Sequence, residues 1–285
     1  MMNDRNIKNK ILNFAKRDDR VRAVLLNGSR ANPKIKPDQY QDFDLLFIVT
    51  DIESFIADKD WTSFIGKVLI QQLPDQMLLG NDPDVDRITF AYLMIFEDEN
   101  RVDLTLFPID KFHSHFKSDS LTEVWVDKDL LFTKIAPAND HDYHIAKPTE
   151  RMFIETCNEF WRVCTYVAKG LARREILYAK DTMERVIRPM FMNLIAWHIG
   201  VEKKFQVAFG KSGRFAEKHL DPKLYQSILQ TYADTSIDNN WLALVQMMTL
   251  FKDLQKDLAL HFEYRINVDE ANNSYNYILK IRNSQ

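Results

Sequence analysis

The sequence predicts an α+β protein with an N-terminal part of mixed strands and helices and a helical C-terminal part. Three observations predict this organisation. Up to about residue 110, apolar runs of strand length alternate with helical patterns, and beyond about residue 149 helical periods dominate. Between them, residues 135–148 (IAPANDHDYHIAKP) carry two prolines and no clear period. We therefore expect one domain over residues 1–140 and another over residues 141–285.

The first elements follow from their apolar patterns. Residues 4–17 predict an amphipathic helix, and Val21–Leu26 (VRAVLL) and Leu45–Val49 (LLFIV) predict two short buried strands. Thr50–Glu53 has the T-x-x-E form of a capping box, which predicts a helix that runs to about Gly66.

A Gly-Ser turn and two aspartates lie between these two strands. Gly28 and Ser29 follow the first strand, and Asp42 and Asp44 precede the second. Side chains two apart on a strand share a face, so the two carboxylates lie side by side while Phe43 points to the core. They repel each other unless a cation such as Mg²⁺ lies between them, and the turn offers backbone N–H groups and a hydroxyl to phosphates. A lone D-x-D is usually a solvated strand end, but this arrangement favours a nucleotidyl-transfer site.

A third carboxylate, Asp103, lies in the alternating segment RVDLTLFPI. Residues 88–96 (ITFAYLMIF) precede it, and residues 97–100 (EDEN) predict the turn of a hairpin. Val102 and Leu104 share one face, and Asp103 lies on the other. We therefore expect Asp103 to face the aspartate pair from a neighbouring strand.

The C-terminal part predicts helices near residues 149–170, 173–201 and 238–260. The first of them has a polar stripe that includes Glu155, Glu159 and Lys169. The two glutamates are like charges one turn apart, which costs stability on an isolated helix, and a cationic ligand would offset their repulsion. A solvated face with ion pairs along the helix is the alternative. Gly170 permits either close packing or a kink.

Five segments together resemble a known family: GSR, QDFDLLFIVTD, VDLTLFP, CNEFW and YVAKGLARREILYA. In this order and spacing they are similar to the aminoglycoside 6-adenylyltransferases, the streptomycin-modifying branch of the DNA-polymerase-β-like nucleotidyltransferases. The similarity runs from about residue 8 to about residue 250. It implies an N-terminal nucleotidyltransferase domain with a mixed β-sheet and a C-terminal helical domain that contributes to the cleft. It also implies transfer of AMP from ATP, with Mg²⁺, to the 6-hydroxyl of streptomycin.

The resemblance implies roles for four carboxylates. Asp42 and Asp44 match the metal-binding pair, and Asp103 matches the third carboxylate at the metal and a candidate general base. Glu159 is the candidate for the cations of the aminoglycoside and the alternative base. Glu155 and the loop from Asp82 to Asp86 are further candidates for binding the acceptor.

The resemblance also implies a set of phosphate contacts. Gly28 and Ser29 match the phosphate-binding turn, and Lys169 is the candidate for the triphosphate. Arg30 is a further candidate, although an arginine beside a turn is often a surface residue.

Several positions depart from the family pattern. Asn27 stands where an acidic residue is expected, and residues 77–87 and the segment from about Asn267 differ as well. These segments are candidates for the acceptor pocket. Two other functions therefore remain open: transfer to a different small hydroxylated acceptor, and a catalytically idle nucleotide-binding module.

The composition agrees with a soluble enzyme, and we expect it to bind neither nucleic acid nor membrane. Lys and Arg number 38 against 41 Asp and Glu, a net charge of −3, whereas proteins that bind nucleic-acid phosphates are usually basic. Met1–Lys10 has no signal-peptide core, and Pro189–Val201 is too short and too polar to span a bilayer. We expect a cytoplasmic monomer or homodimer, with Cys157 and Cys164 as buried thiols.

Overall fold

The structure, a computed structural model, describes residues 2–79, 88–133 and 135–284. The chain divides into two compact units, Met1–Asp142 and Tyr143–Gln285. The first contains a sheet with flanking helices and the second is helical, which confirms the predicted α+β class. Within the described ranges, no helix is both long enough and apolar enough to cross a membrane.

The first unit is built on a six-stranded sheet. Its strands are β1 (Val21–Asn27), β2 (Phe43–Val49), β3 (Val68–Gln72), β4 (Phe90–Phe96), β5 (Arg101–Pro108) and β6 (Thr122–Asp127). Its helices are α1 (Met2–Arg17), α2 (Glu53–Ala57) and α3 (Phe112–His115). The strand order is β3-β4-β5-β2-β1-β6, in which β2 and β5 are parallel and the other neighbours antiparallel. The sheet is therefore mixed, and β4 and β5 form the predicted hairpin.

The two faces of this sheet carry unequal apolar cores. The larger core includes Ile11 of α1 and Phe47 of β2, which are both fully buried. A smaller core on the other face includes Ile48 and Phe107. Because alternate residues of a strand share a face, Asp44 lies on the same face of β2 as Ile48. The predicted site thus lies on the face that carries the smaller core.

The helix predicted from Thr50 to Gly66 is wrong in its start and in its length. Helix α2 begins after Ile52, whose side chain does not cap it. The predicted cap by Thr50 does not form, because the carboxylate of Asp51 accepts the backbone N–H of Glu53 (3.0 Å). It ends at Ala57, since the next turn is closed by a hydrogen bond from the backbone N–H of Asp60 to the carboxylate of Asp58 (3.2 Å). A short 3₁₀ helix, Trp61–Phe64, follows.

The second unit is a set of packed helices. They are α4 (Glu150–Ala172), α5 (Ile176–Thr182), α6 (Arg188–Glu202), α7 (Ala216–His219), α8 (Pro222–Leu229), α9 (Ile237–Phe262) and α10 (Val268–Asn283). Helix α4 begins where the Thr149 hydroxyl accepts the backbone N–H of Met152 (3.1 Å). The helix predicted over residues 173–201 is divided: α5 and α6 are joined by a π-helical segment, Met183–Ile187. The sequence did not predict α10.

The core of the second unit lies between α4 and its neighbours. Phe160 of α4 and Phe251 of α9 stack with ring centroids 3.6 Å apart. The indole N–H of Trp161 donates to Gln255 of α9 over 2.8 Å, so this buried polar group is paired. Gly170 serves close packing, because a Cβ there would lie 2.8 Å from the Tyr178 ring of α5.

The two cysteines are free and buried, as predicted. Both lie on α4, and burial raises the pKa of the Cys157 thiol to about 12. A thiol with such a pKa is neutral at physiological pH and packs as an apolar group.

Candidate functional site

The turn after β1 brings the backbone against a carboxylate. Gly28 has a φ of +71°, and a Cβ at this position would overlap the carboxylate of Asp44. Only glycine takes this conformation without strain and leaves this space. The Gly28 N–H donates to the Leu121 carbonyl (3.1 Å) in this structure. Contacts of Gly28 and Ser29 with phosphates stay a prediction.

The pairing of β1, β2 and β5 collects the predicted carboxylates at one end of the sheet. Asp44 pairs with Asn27 of β1 on one side and with Asp103 of β5 on the other. Asp42 lies directly before β2 and is half-buried, and burial raises the pKa of its carboxyl while the Arg101 guanidinium opposes that shift. The structure therefore places Asp103 on the strand beside the aspartate pair, as the alternation of β5 predicted.

Arg101 is a site residue that the sequence did not reveal. Its guanidinium donates to both carboxylate oxygens of Asp103, over 3.1 and 2.9 Å, and lies 3.6 Å from Asp42. The hydrogen bonds to Asp103, followed by the charges of Asp103 and then of Asp42 and Asp44, raise the pKa of Arg101. Its position two residues before Asp103, and thus on the same strand face, was the available signal.

Arg30 makes contacts that indicate a structural role. Its guanidinium donates to the backbone carbonyls of Gln41 (2.7 Å) and Asp42 (3.0 Å) and stacks on the Phe43 ring, 3.9 Å from the centroid. These contacts connect the turn after β1 with the segment that leads into β2. They hold Asp42 in place, and a contact between Arg30 and phosphates stays a prediction.

Asn27, the departure from the family pattern, is part of this end of the sheet. Its side-chain oxygen accepts a hydrogen bond from the Thr122 hydroxyl of β6 over 2.8 Å. Because Asn27 is the cross-strand partner of Asp44, an acidic residue here would add a like charge beside the carboxylates. The neutral amide of Asn27 avoids this repulsion, and its hydrogen bond to Thr122 connects β1 with β6.

The donor atoms of this site suit Mg²⁺ in kind. Carboxylate oxygens are the hard ligands that Mg²⁺ prefers, and the missing side chain of Gly28 leaves room for the carboxylate of Asp44. As the side chains lie, however, the described ranges contain no group of three or more His, Cys, Asp or Glu side chains arranged to hold a metal ion. The cation that lies between Asp42 and Asp103 in this structure is the guanidinium of Arg101.

The other two predicted site residues, Glu159 and Lys169, lie on α4 in the second unit. Glu159 is exposed, whereas Glu155 pairs with Arg151 over 2.7 Å, which agrees with the solvated alternative for that residue. Lys169 lines a cavity of about 310 Å³ between α4 and α10, together with Arg162.

Helix α10 contributes to this cavity, and the sequence did not predict that helix. The candidate loop from Asp82 to Asp86 lies outside the described residues.

Three comparisons relate the chain to known proteins. A family model described as streptomycin adenylyltransferase matches residues 1–281. An aminoglycoside 6-adenylyltransferase of Campylobacter jejuni is 39% identical over 280 residues, which cover 98% of this chain and 96% of that protein. One of Bacillus subtilis (strain 168) is 37% identical over 277 residues, covering 96% and 97%. The crystal structure of an aminoglycoside 6-adenyltransferase from Bacillus subtilis aligns with 96% of each chain at 33% identity and a TM-score of 0.48.

Proposed function

This chain belongs to the streptomycin adenylyltransferase family, and from that premise we propose that it transfers AMP from ATP to the 6-hydroxyl of streptomycin. The reaction releases pyrophosphate and inactivates the antibiotic, and we place it in the cytoplasm. Membership makes the chain a nucleotidyltransferase, and we infer from it that the substrates are ATP and an aminoglycoside. The observation that carries the proposal is the placement of Asp42, Asp44 and Asp103 at one end of the sheet.

The three carboxylates have the chemistry to hold Mg²⁺. Asp42, Asp44 and Asp103 would bind the ion through their oxygens, in agreement with the hard donors that it prefers. When bound, Mg²⁺ supplies charge neutralisation at the triphosphate. Gly28 contributes by letting the backbone approach Asp44, and Arg30 contributes by holding the carbonyl of Asp42.

The remaining residues act on the two substrates. Ser29 and Lys169 bind the phosphates that leave as pyrophosphate, because a hydroxyl and an ammonium group both donate to phosphate oxygens. Asp103 accepts the proton of the attacking hydroxyl as general base, and Glu159 is the alternative base. Glu159 is exposed and uses its charge to bind the cations of the aminoglycoside.

Mass spectrometry of an aminoglycoside panel tests the reaction. With ATP and Mg²⁺ present, streptomycin should gain one adenylyl group, and pyrophosphate should appear in equal amount. A different aminoglycoside or another hydroxylated acceptor that gains AMP, while streptomycin does not, would contradict the proposed acceptor. Absence of any product across the panel would favour an idle nucleotide-binding module.

Substitution of the aspartate pair tests the site. Asp42→Asn and Asp44→Asn should each reduce kcat by on the order of a thousandfold, the scale expected when a main electrostatic stabiliser is lost. The thermal melt should stay close to that of the wild type. A variant that folds normally and keeps most of its activity would refute the assignment of these carboxylates.

A further inference from the structure

Arg101 occupies a position that a cation is expected to fill. It is the first residue of β5, and its backbone is fixed by pairing with Ile95 of β4. Its side chain, in contrast, is about half exposed (47%) and reaches back over Asp103 on the same strand face. The guanidinium can therefore swing away from the carboxylates by side-chain rotation, while the backbone of Arg101 stays paired in the strand.

The guanidinium uses the same oxygen atoms that a metal ion would need. Both oxygens of Asp103 accept hydrogen bonds from Arg101, and Asp42 lies 3.6 Å away through its Oδ2. Each oxygen of Asp103 therefore accepts one hydrogen bond from this guanidinium, which also lies beside Asp42. A divalent cation that binds both Asp42 and Asp103 competes with the guanidinium for the same oxygens.

The neighbouring arginine, Arg30, makes contacts with the backbone at this site. Its guanidinium donates to the carbonyls of Gln41 and Asp42 and stacks on the Phe43 ring. The guanidinium of Arg101 contacts the carboxylate side chains of Asp103 and Asp42. Because partly exposed ion pairs are weak, a competing divalent ion can displace such a guanidinium.

We propose that Arg101 is a resident counter-ion that competes with the divalent cation for Asp42 and Asp103 and thereby sets the affinity of the site for metal. The proposal rests on the proposed function, because it takes these two carboxylates as metal ligands. In the absence of metal, Arg101 neutralises the repulsion between the carboxylates. When a divalent ion enters, the guanidinium leaves and its charge is then free to turn towards an anionic substrate.

Binding of Mn²⁺ to the nucleotide-free protein provides the test, with electron paramagnetic resonance of the unbound ion as the readout. Arg101→Met should bind Mn²⁺ about tenfold more tightly than the wild type, because the competing charge is gone. Arg101→Lys should lie between the two, because lysine keeps the charge but loses the two-pronged geometry. Thermal melts verify that both variants are folded, and the lysine variant decides the question if the methionine variant is not.

Arg22→Met is the matched control. Arg22 also donates to both oxygens of an aspartate, Asp129, and its loss changes the net charge by the same amount. It pairs with a carboxylate that is not assigned to the site, so its variant should bind Mn²⁺ as the wild type does. If Arg22→Met gains as much affinity for Mn²⁺ as Arg101→Met does, the change in net charge alone explains the effect, and the proposal is overturned.

The remaining outcomes separate this proposal from the proposed function. Equal or weaker Mn²⁺ binding in the folded Arg101 variants, or no binding in any protein, would overturn the competition. If AMP transfer to streptomycin is seen in that case, the function stands and only the role of Arg101 fails. Tighter binding by Arg101→Met without AMP transfer to any aminoglycoside would support the counter-ion and refute the proposed function.

Discussion

At the scale of single residues, the position of Asp44 depends on the missing side chain of Gly28. The turn after β1 has a positive φ at this glycine, and a Cβ added there would overlap the Asp44 carboxylate. The same turn carries Ser29, the proposed phosphate contact. The conformation of this one turn thus positions both the Asp44 carboxylate and the proposed phosphate contact.

Gly28→Ala tests this dependence. The added Cβ strains the backbone and displaces the Asp44 carboxylate, so kcat/KM for AMP transfer should fall by about a hundredfold, as misplacement of a reacting group by about 1 Å does. Gly66→Ala is the control, because its Cβ would make an ordinary contact 3.5 Å from Phe96. Steady-state kinetics measure both variants, and an active Gly28→Ala enzyme would show that the close approach is not required.

Asp103 and Glu159 can be separated by their effects on the two kinetic constants. If Asp103 is the base and Glu159 only binds the cations of the acceptor, Asp103→Asn should lower kcat, whereas Glu159→Gln should chiefly raise the KM for streptomycin. The opposite pattern would exchange their roles. Glu159→Gln with both constants unchanged would make that residue part of a solvated helix face.

At the scale of elements, local patterns predicted what local interactions determine. Helix α4 was expected near residues 149–170 and α9 near 238–260, and both are confirmed because long amphipathic periods persist through them. Edge strand β3 was missed because it lacks the alternation of apolar and polar residues that marks a half-buried strand. Its adjacent apolar residues Leu69 and Ile70 are both exposed. Strand β6 and helix α10 were missed as well, since their burial depends on partners distant in the sequence.

In the candidate site too, the features set by local sequence patterns were predicted, and those set by distant parts of the chain were not. The adjacency of Asp44 and Asp103 was predicted, because alternation within β2 and β5 fixes which face each carboxylate takes. The spacing of two residues placed Arg101 on the strand face of Asp103, but its contact with Asp42 depends on the parallel pairing of β2 with β5, which no local pattern reveals. The engaged N–H of Gly28 depends likewise on a distant carbonyl, that of Leu121.

The start of β1 is stabilised by a carboxylate, which makes this element sensitive to acid. Asp18 accepts hydrogen bonds from the backbone and the guanidinium of Arg20, and the side-chain hydrogen bond is the main cause of its lowered pKa. Because the pKa is lower in the folded state, the ionised carboxylate stabilises the fold at pH values above 3.8, the ordinary pKa of the group. This contribution is lost as the pH falls through the lower pKa of the folded state.

Asp18→Asn should therefore lower the free energy of unfolding by about 1 kcal/mol at neutral pH. The difference from the wild type should shrink as the pH falls below 3.8 and through the lower pKa of the folded state, because the wild-type carboxyl then becomes protonated as well. Urea denaturation at several pH values measures both effects. Asp19→Asn, an exposed neighbour, is the control, and an equal loss there would contradict the role of Asp18.

At the scale of the whole molecule, the net charge of −3 accommodates a cationic acceptor. Binding of streptomycin through carboxylates such as Glu159 should weaken as ionic strength rises and the Debye length falls below about 10 Å. ATP binding through direct metal coordination should change less. Calorimetry with a non-hydrolysable ATP analogue and Mg²⁺ measures both, and a preparation that binds the analogue but gives no heat with streptomycin at low salt would exclude this acceptor.

The parallel pairing of β2 with β5 also bears on how the enzyme acquires its activity. Asp44 and Asp103 are about sixty residues apart in the sequence, and they meet only when the intervening chain has closed as a loop. Closing such a loop costs entropy before the contact repays it, which makes long-range strand pairing slow. Recovery of activity during refolding should therefore report the completion of the central strands rather than the formation of the helices.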